Sequence, residues 1–461
     1  MLKLTPGQHI HLIGIGGAGL SAIARILLQR GFTVSGSDVR PSAITTALQN
    51  EGARVYLGHH ADFVDGADLV LMSSAVAAEH VEVRAAQSKG IPIVKRNPFM
   101  APLLEGQRTI AVAGTHGKTT TTSMIVHILQ QAGEDPSYIV GGTMGNTGKN
   151  AGVGAGQSFV IEADEYDNMF HGLRPQIAVV TNVEHDHPDY FATAEDQMSA
   201  FAIFAELVPA SGTLVACSDD SGALSLLNIR KERRLSALSY AIDDASADWR
   251  ATELVFSEAE TSARILRNGV CLGSLVLRVP GAHNVVNALA ATVVADLHGV
   301  VFEESAAALA SFKGAERRFE VRGIRDEVII VDDYAHHPTE IRVNIHAARA
   351  RYPRHRIWAI WQPHTFSRVR EFWSDFLSAF DAADQVLITP IYAAREDPIA
   401  GISSQMLVES MADHPSARFA PNFEDAAACL RRDIKDPTVV LICSAGDANR
   451  IADLYLEADD R

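Results

Sequence analysis

The chain is poor in sulfur that could crosslink it or hold a metal. Its four cysteines, at 217, 271, 429 and 443 of 461 residues, show no C-x-x-C spacing. Neither a zinc ribbon nor a disulfide framework is therefore expected, and a reducing compartment fits. Long apolar runs are also missing. None approaches the roughly 18 residues that span a bilayer, so no membrane insertion is expected. The first apolar strand begins by His9, and no targeting segment is read ahead of it. Positive charge is in deficit, with 40 Lys and Arg against 56 Asp and Glu and a net charge of −16. That argues against a nucleic-acid partner and means that an anionic substrate would need locally placed Arg, Lys or metal. At roughly 150 residues per domain, the length suggests three domains.

Against these absences stands one dense stretch, Gly114-Thr115-His116-Gly117-Lys118-Thr119-Thr120. It follows the apolar run Thr109 to Ala113 and leads into the helix-like Ser123 to Leu129. A strand, a glycine-rich loop and a helix in that order make a phosphate-binding loop. Backbone N–H groups at the helix start face the anion, the lysine reaches the outer phosphates, and the next hydroxyl can hold a divalent cation. The spacing is shorter than G-x-x-x-x-G-K-S/T, so the loop is a variant.

A second glycine loop lies near the start. The strand His9 to Ile13 is followed by Gly14-Ile15-Gly16-Gly17-Ala18-Gly19, the helix-like Leu20 to Leu28, and a strand from Phe32 to Gly36 that ends at Asp38. Glycines 14, 16 and 19 satisfy G-x-G-x-x-G between strand and helix, a turn able to cradle any diphosphate. Strands at 68–72 and 91–94 complete a small doubly wound sheet. The segment Asn97 to Gly106 carries two prolines and is expected to break the pattern, which places a domain boundary there.

Two phosphate loops in successive domains fit a ligase with two phosphorylated substrates better than a dehydrogenase. The strand Ser158 to Ile161 delivers Glu162-Ala163-Asp164-Glu165-Tyr166-Asp167, and the strand Ile177 to Val180 delivers Thr181-Asn182-Val183-Glu184-His185-Asp186-His187. Ligands of open α/β sheets sit beyond the carboxyl ends of the strands. Acidic side chains beside ATP phosphates require a cation between them. In the last third, strands at 328–331 and 357–361 flank a helix from Glu340 to Ala348 in βαβ rhythm.

These motifs resemble those of the ATP-dependent Mur ligases of peptidoglycan synthesis, along nearly the whole chain. Besides the segments above, the resemblance rests on Gly281-Ala282-His283-Asn284-Val285-Val286-Asn287, Arg317-Arg318-Phe319, Asp332-Asp333-Tyr334-Ala335-His336-His337-Pro338-Thr339-Glu340 and Gln362-Pro363-His364-Thr365-Phe366-Ser367-Arg368. It implies an α/β protein of three domains. These are an N-terminal Rossmann-like domain for a UDP-sugar over 1–105, a central P-loop ATPase-like domain over 106–314, and a C-terminal Rossmann-like domain for amino acid and nucleotide over 315–461.

The implied reaction is phosphorylation of the lactyl carboxylate of UDP-N-acetylmuramate by ATP, then attack of the L-alanine amine on the acyl phosphate. Phosphorylation supplies the leaving group that a carboxylate lacks, and the transfer needs mostly positioning and charge neutralisation. The resemblance gives magnesium as the ion, with manganese able to replace it, a cytoplasmic setting, and room for a homodimer. By resemblance, Gly114, Thr115, Gly117, Lys118, Thr119 and Thr120 hold ATP. Thr119 and Glu162 bind one metal ion, and Glu162 with His187 binds or approaches a second. Asn284 and Asn287 contact the nucleotide, Arg318 reaches phosphate, and Asp333 contacts the nucleotide from the third domain. Lys118, Glu162, His187 and Arg318 form the catalytic set. Gly14, Gly16, Gly17 and Gly19, with Asp38, Ser74 and His116, lie on the side of the UDP-sugar, and Tyr334, His364 and Arg368 surround the amino acid.

Elementary ligand chemistry would choose Asp186 over His187 for magnesium, since that ion prefers oxygen. Only the resemblance selects the histidine. Some Mur ligases support the second metal with a carbamylated lysine, and residues 150 to 230 hold no lysine, in keeping with the alanine-adding branch. Tyr166 and Met169 point instead to the recycling branch, which adds a whole tripeptide to the same nucleotide sugar. The short interval from Glu162 to His187, the Gln362-Pro363-His364 motif with Arg368, and the Gly-Gly-Ala-Gly loop favour alanine. Lys118 and Glu162 sit on polar loops, so replacing either is expected to stop turnover and spare the fold.

Overall fold

A computed structural model describes residues 2–411 and 416–457. The chain forms two compact units, one of Met1–Val183, Met198–Trp249 and Ala290–Ser305, the other of Glu184–Gln197, Arg250–Leu289 and Ala306–Arg461.

The first unit contains a five-stranded parallel sheet in the order Arg54–Leu57, Thr33–Asp38, His9–Ile13, Leu69–Met72, Ile93–Lys95. Its central strand is buried on both faces, as in a helix-covered parallel sheet, with His11 as well as its aliphatic residues inside. Four of the strands match the sequence expectation within two residues, and Arg54–Leu57 was not anticipated. The expected break at 97–106 does not occur at its start: Arg96–Leu103 is a helix. Pro98 lies in the first turn, where no intrahelical N–H partner is lost, and Pro102 stands one residue from the end.

The same unit carries a second run of strands, in the order Ala237–Ala241, Thr213–Cys217, Ile177–Val180, Arg108–Ala113, Ser158–Glu162, Ser137–Ile139 and Ala151–Gly152. All but the last pair are parallel. Arg108–Ala113 lies between Ser158–Glu162 and Ile177–Val180, so the loops that follow these three strands emerge side by side at one edge. This is the placement expected from the motif positions.

The second unit is built on a six-stranded sheet in the order Glu320–Arg325, Val328–Asp333, Thr438–Cys443, Arg356–Trp361, Gln385–Ile388, Ala417–Phe419. The first pair is antiparallel and the others are parallel. Trp361 anchors one face against Phe376 and Phe380, with ring centroids 4.4 and 5.4 Å away. The helix Pro338–Arg351 starts with a capping box made by His337 and Glu340. A hairpin of Thr261–Arg267 and Val270–Leu277 was not anticipated. It turns on Asn268 and Gly269, both at positive φ, the two-residue turn that matches strand twist. Among the described residues no helix is long and apolar enough to cross a membrane.

Candidate active site

In the first unit the chemistry gathers where the three central strands end. Gly114 has φ +142°, and a Cβ there would lie 1.8 Å from Thr181 Oγ1, so the loop can pass this strand end only as glycine. Gly117, at φ +82°, turns the chain into the helix Lys118–Gln131, whose first N–H groups have no acceptor in the preceding turn. The loop is pinned from the neighbouring strand. His116 N donates to Asn182 Oδ1 at 2.8 Å, and Thr181 Oγ1 and Asn182 Nδ2 donate to the His116 carbonyl at 2.6 and 3.1 Å.

Thr119 Oγ1 lies 3.0 Å from Glu162 Oε1. Glu162 Oε2 accepts from Gly141 N at 2.6 Å, and a Cβ on Gly141 would fall 2.5 to 2.6 Å from both carboxylate oxygens. A hydroxyl and a carboxylate so close offer the hard oxygen donors that magnesium prefers, and residue 141 leaves them room.

Lys118 does not project freely from the loop. Its ammonium donates to Glu165 Oε1 at 2.9 Å and to the carbonyls of Gly114 and Thr115, with 14 % of the side chain exposed and 1 % of Glu165. Burial opposes the charged lysine, but the carboxylates of Glu165, Glu162 and Asp164 outweigh it and raise its pKa. The expectation that Lys118 could be removed without cost to the fold is thus corrected, because its loss would strand a buried glutamate. The Lys118–Glu165 pair was missed by sequence reasoning, although the Glu-Ala-Asp-Glu run that supplies it was plain.

A cavity of about 210 Å³ opens beside Glu162, lined by Gly19, Arg96, Met100, Gly141 and Asp164 among others. Arg96 bonds Asp164 at 2.9 Å and closes over Gly19, where a Cβ would meet the guanidinium at 2.8 Å. In the glycine loop, Gly16 N donates to Asp38 Oδ2 at 2.9 Å, and a Cβ at Gly16 would sit 2.8 Å from that oxygen. Gly14, at φ +85°, and Ile15 both donate to the Ser37 carbonyl. Asp38 therefore braces the loop from the neighbouring strand end, the position expected of it. Gly17 caps the helix Ala18–Gln29, and Ser74 lies in the turn after Leu69–Met72.

The second unit assembles another constellation. Arg368 was expected to present two prongs to a substrate carboxylate, but both are spent on Asp186, with Nε and Nη2 at 2.9 and 2.8 Å from Oδ1. Its Nη1 lies 3.0 Å from His364 Nδ1. Asp186 is buried, yet Arg368 holds its carboxyl well below the ordinary carboxylate range despite that burial. Its Oδ1 also accepts from His187 N at 2.7 Å, which forms part of a left-handed turn at His187, φ +54°. Asp186 is thereby engaged by Arg368 and by the His187 backbone.

His364 stacks on Tyr392, and His336 meets both Tyr334 and His364 edge-on. Burial, aided by the Arg368 charge, pushes His364 down to about 4 and His336 to about 3, so both rings are neutral near pH 7. Arg317 and Arg318 both lie over the Tyr334 ring, 5.3 and 5.4 Å from its centroid. Asp333 accepts from Phe319 N and Ala335 N, both at 2.7 Å. Burial lifts its pKa to about 6, although Arg318 opposes the shift. Asn284 and Asn287 lie one turn apart on the helix Ala282–Leu297, 3.3 Å from each other, and Asn284 also bonds the Pro280 carbonyl. The structure thus brings Tyr334, His364, Arg368 and His187 into one neighbourhood with Asp186, and gives Arg318 and Asp333 a second one at the start of the third sheet.

Three family models cover the chain: "Mur ligase family, catalytic domain" over residues 9–108, "Mur ligase middle domain" over 112–295, and "Mur ligase, glutamate ligase domain" over 317–446. A UDP-N-acetylmuramate–L-alanine ligase of Renibacterium salmoninarum is 44% identical over 99% of this chain and 97% of its own. A crystal structure of UDP-N-acetylmuramate-alanine ligase from Thermotoga maritima has a TM-score of 0.83 at 28% identity, covering 97% of this chain and 98% of its own. A murein peptide ligase from Psychrobacter arcticus has a TM-score of 0.71 at 25% identity, covering 98% of both chains.

Proposed function

Since the chain belongs to the Mur ligase family, with its three-domain α/β architecture, we propose that it joins L-alanine to the lactyl carboxylate of UDP-N-acetylmuramate at the expense of ATP. The observation that carries the reading is full-length identity of 44% with an enzyme of that name, and the recycling ligase is the weaker structural match. Domain limits of 1–105, 106–314 and 315–461 are part of this reading.

In this reading the glycine loop at 14–19 receives the diphosphate of the UDP-sugar, and the loop at 114–120 receives ATP. Lys118 exchanges its bond with Glu165 for the outer phosphates. Thr119, Glu162 and His187 are the residues that would hold magnesium or manganese. When bound, the ion neutralises charge on the transferring phosphoryl group. Thr119 and Glu162 would keep that ion beside the phosphoryl group, while the buried lysine adds positive charge where negative charge accumulates. Asn284, Asn287, Arg318 and Asp333 steady the nucleotide.

Arg368 enters the amino-acid site already paired, so Asp186 and His364 fix the plane of its guanidinium before the alanine carboxylate arrives. Tyr334 and the neutral His364 wall the site. His116 lies on the sugar side of the phosphate loop. A cytoplasmic setting and a homodimer belong to the same reading.

The test is release of ADP from the full chain with UDP-N-acetylmuramate, ATP and magnesium, comparing L-alanine with L-alanyl-γ-D-glutamyl-meso-diaminopimelate. L-alanine is expected to give much the higher kcat/KM. A higher value for the tripeptide would move the chain to the recycling branch, and no ADP release with either would remove the ligase reading.

A further inference from the structure

The first sheet contains an imidazole and carboxylate cluster that the ligase chemistry does not use. Glu82, on the first turn of the helix Val81–Ser88, is fully buried. Its Oε2 accepts from His11 Nε2 and from Ser37 Oγ, both at 2.8 Å. His11 is itself held through Nδ1 by Ser35 Oγ at 2.8 Å, and Ser35 by His9 Nε2 at 2.7 Å. This chain of contacts fixes the carboxylate plane and turns Oε1 toward His59, whose Nδ1 is 2.8 Å away. His80 caps the same helix through Nδ1, and its ring meets that of His59 edge-on, with centroids 4.3 Å apart.

Three ligand atoms, one each from His59, His80 and Glu82, lie within 4.8 Å of one another. Nε2 of neither His59 nor His80 has a hydrogen-bond partner among the described residues. Tetrahedral zinc with bonds of about 2.0 Å holds its ligand atoms about 3.3 Å apart, so the three atoms need to draw in by at most about 1.5 Å to close on an ion. A buried carboxylate braced on its far oxygen, beside two imidazoles that are each partly open to solvent, is the layout of a site with three protein ligands and a fourth position for water.

We propose that His59, His80 and Glu82 form a binding site for one divalent transition-metal ion of the zinc class, separate from the Thr119 and Glu162 site. Two nitrogens and one carboxylate oxygen favour zinc or cobalt over magnesium, which takes an all-oxygen shell. Ser37 links the cluster to the glycine loop, because its hydroxyl bonds Glu82 while its carbonyl accepts from Gly14 and Ile15. The ion would therefore stiffen the strand end against which that loop is built.

The test uses the metal-free full chain and two variants, His59→Gln and His80→Gln. Each is titrated with zinc against a chromophoric chelator and with cobalt under visible absorption, in the presence of excess magnesium. The wild type is expected to take one more tight equivalent of zinc than either variant and to show the intense visible bands of tetrahedral cobalt. Each variant should bind that equivalent at least about 100-fold more weakly, since losing a ligand costs at least as much as the roughly 10–100-fold that losing a ligand's hydrogen-bond partner costs. Glu162→Gln should retain it. Should His80→Gln fail to fold for want of its helix cap, His59→Gln decides alone. Equal stoichiometry in wild type and His59→Gln, or a wild-type cobalt spectrum without the tetrahedral bands, would overturn the proposal.

Discussion

Replacing Lys118 by alanine should damage two things that can be measured apart. The ammonium holds Glu165, whose side chain is 1 % exposed, at 2.9 Å. Removing one partner of a buried pair leaves the other charge without compensation, which costs about 3–5 kcal/mol. The first unit should therefore melt several degrees lower. Turnover should fall by at least about 10²–10³-fold, the cost of deleting one well-placed donor to a developing negative charge, about 2.7–4 kcal/mol. The double variant Lys118→Ala/Glu165→Gln has no stranded carboxylate and should regain most of the lost stability. It should regain none of the activity. The assays are thermal melts by circular dichroism and coupled detection of ADP, arranged as a double-mutant cycle. A Lys118→Ala protein as stable as wild type would refute the buried-pair argument, and a double variant with wild-type turnover would refute the catalytic one.

Three further outcomes are expected. Arg368→Lys should lower kcat/KM for L-alanine at least about tenfold while the KM for UDP-N-acetylmuramate stays within about twofold, because lysine cannot reproduce contacts to both Asp186 and His364; unchanged alanine kinetics would sink this. Gly141→Ala should raise the magnesium concentration needed for ADP release, since the added carbon would lie 2.5 Å from a Glu162 oxygen, and an identical magnesium titration would count against the metal assignment. For pH, an unfolded His364 titrates near 6.5 and the folded one near 4, so between those values the unfolded chain binds more protons. The contribution is intact above pH 6.5 and is lost as pH falls through the window. His364→Gln should flatten the decline in unfolding free energy, read from denaturant melts, by up to about 1.4 kcal/mol per pH unit, and parallel slopes for variant and wild type would exclude the effect.

What could be read from the sequence follows from where chemistry sits in an α/β fold. Short apolar strands announce themselves, and the residues just after them lie at the ligand edge, so Gly114 to Thr120, Glu162 and His187 could be placed before any coordinates. Contacts between distant segments left no such trace. Arg368 and Asp186 stand 182 positions apart, and nothing in either motif says that one guanidinium will be spent on the other. Lys118 read as a loop residue because its neighbours are polar, yet polar neighbours are what allow a lysine to be buried with a glutamate. The helix Arg96–Leu103 was hidden by its prolines, of which Pro98 sits in the first turn that a helix tolerates and Pro102 one residue from the end. The turn at Asn268-Gly269 was legible in principle, but attention to the βαβ rhythm passed over the strands on either side.

Residues Glu184–Gln197 follow a strand of the first unit in sequence but pack as part of the second. That matters to anyone dividing the molecule for expression. A fragment beginning at residue 317, where the last family model begins, carries Arg368 without Asp186 and His337 without its contact to the His185 carbonyl. Its arginine, 4 % exposed in the intact chain, would open to solvent and lose its fixed plane. A working piece of the amino-acid site would have to bring the 184–197 peptide along, tethered by a linker or supplied in trans.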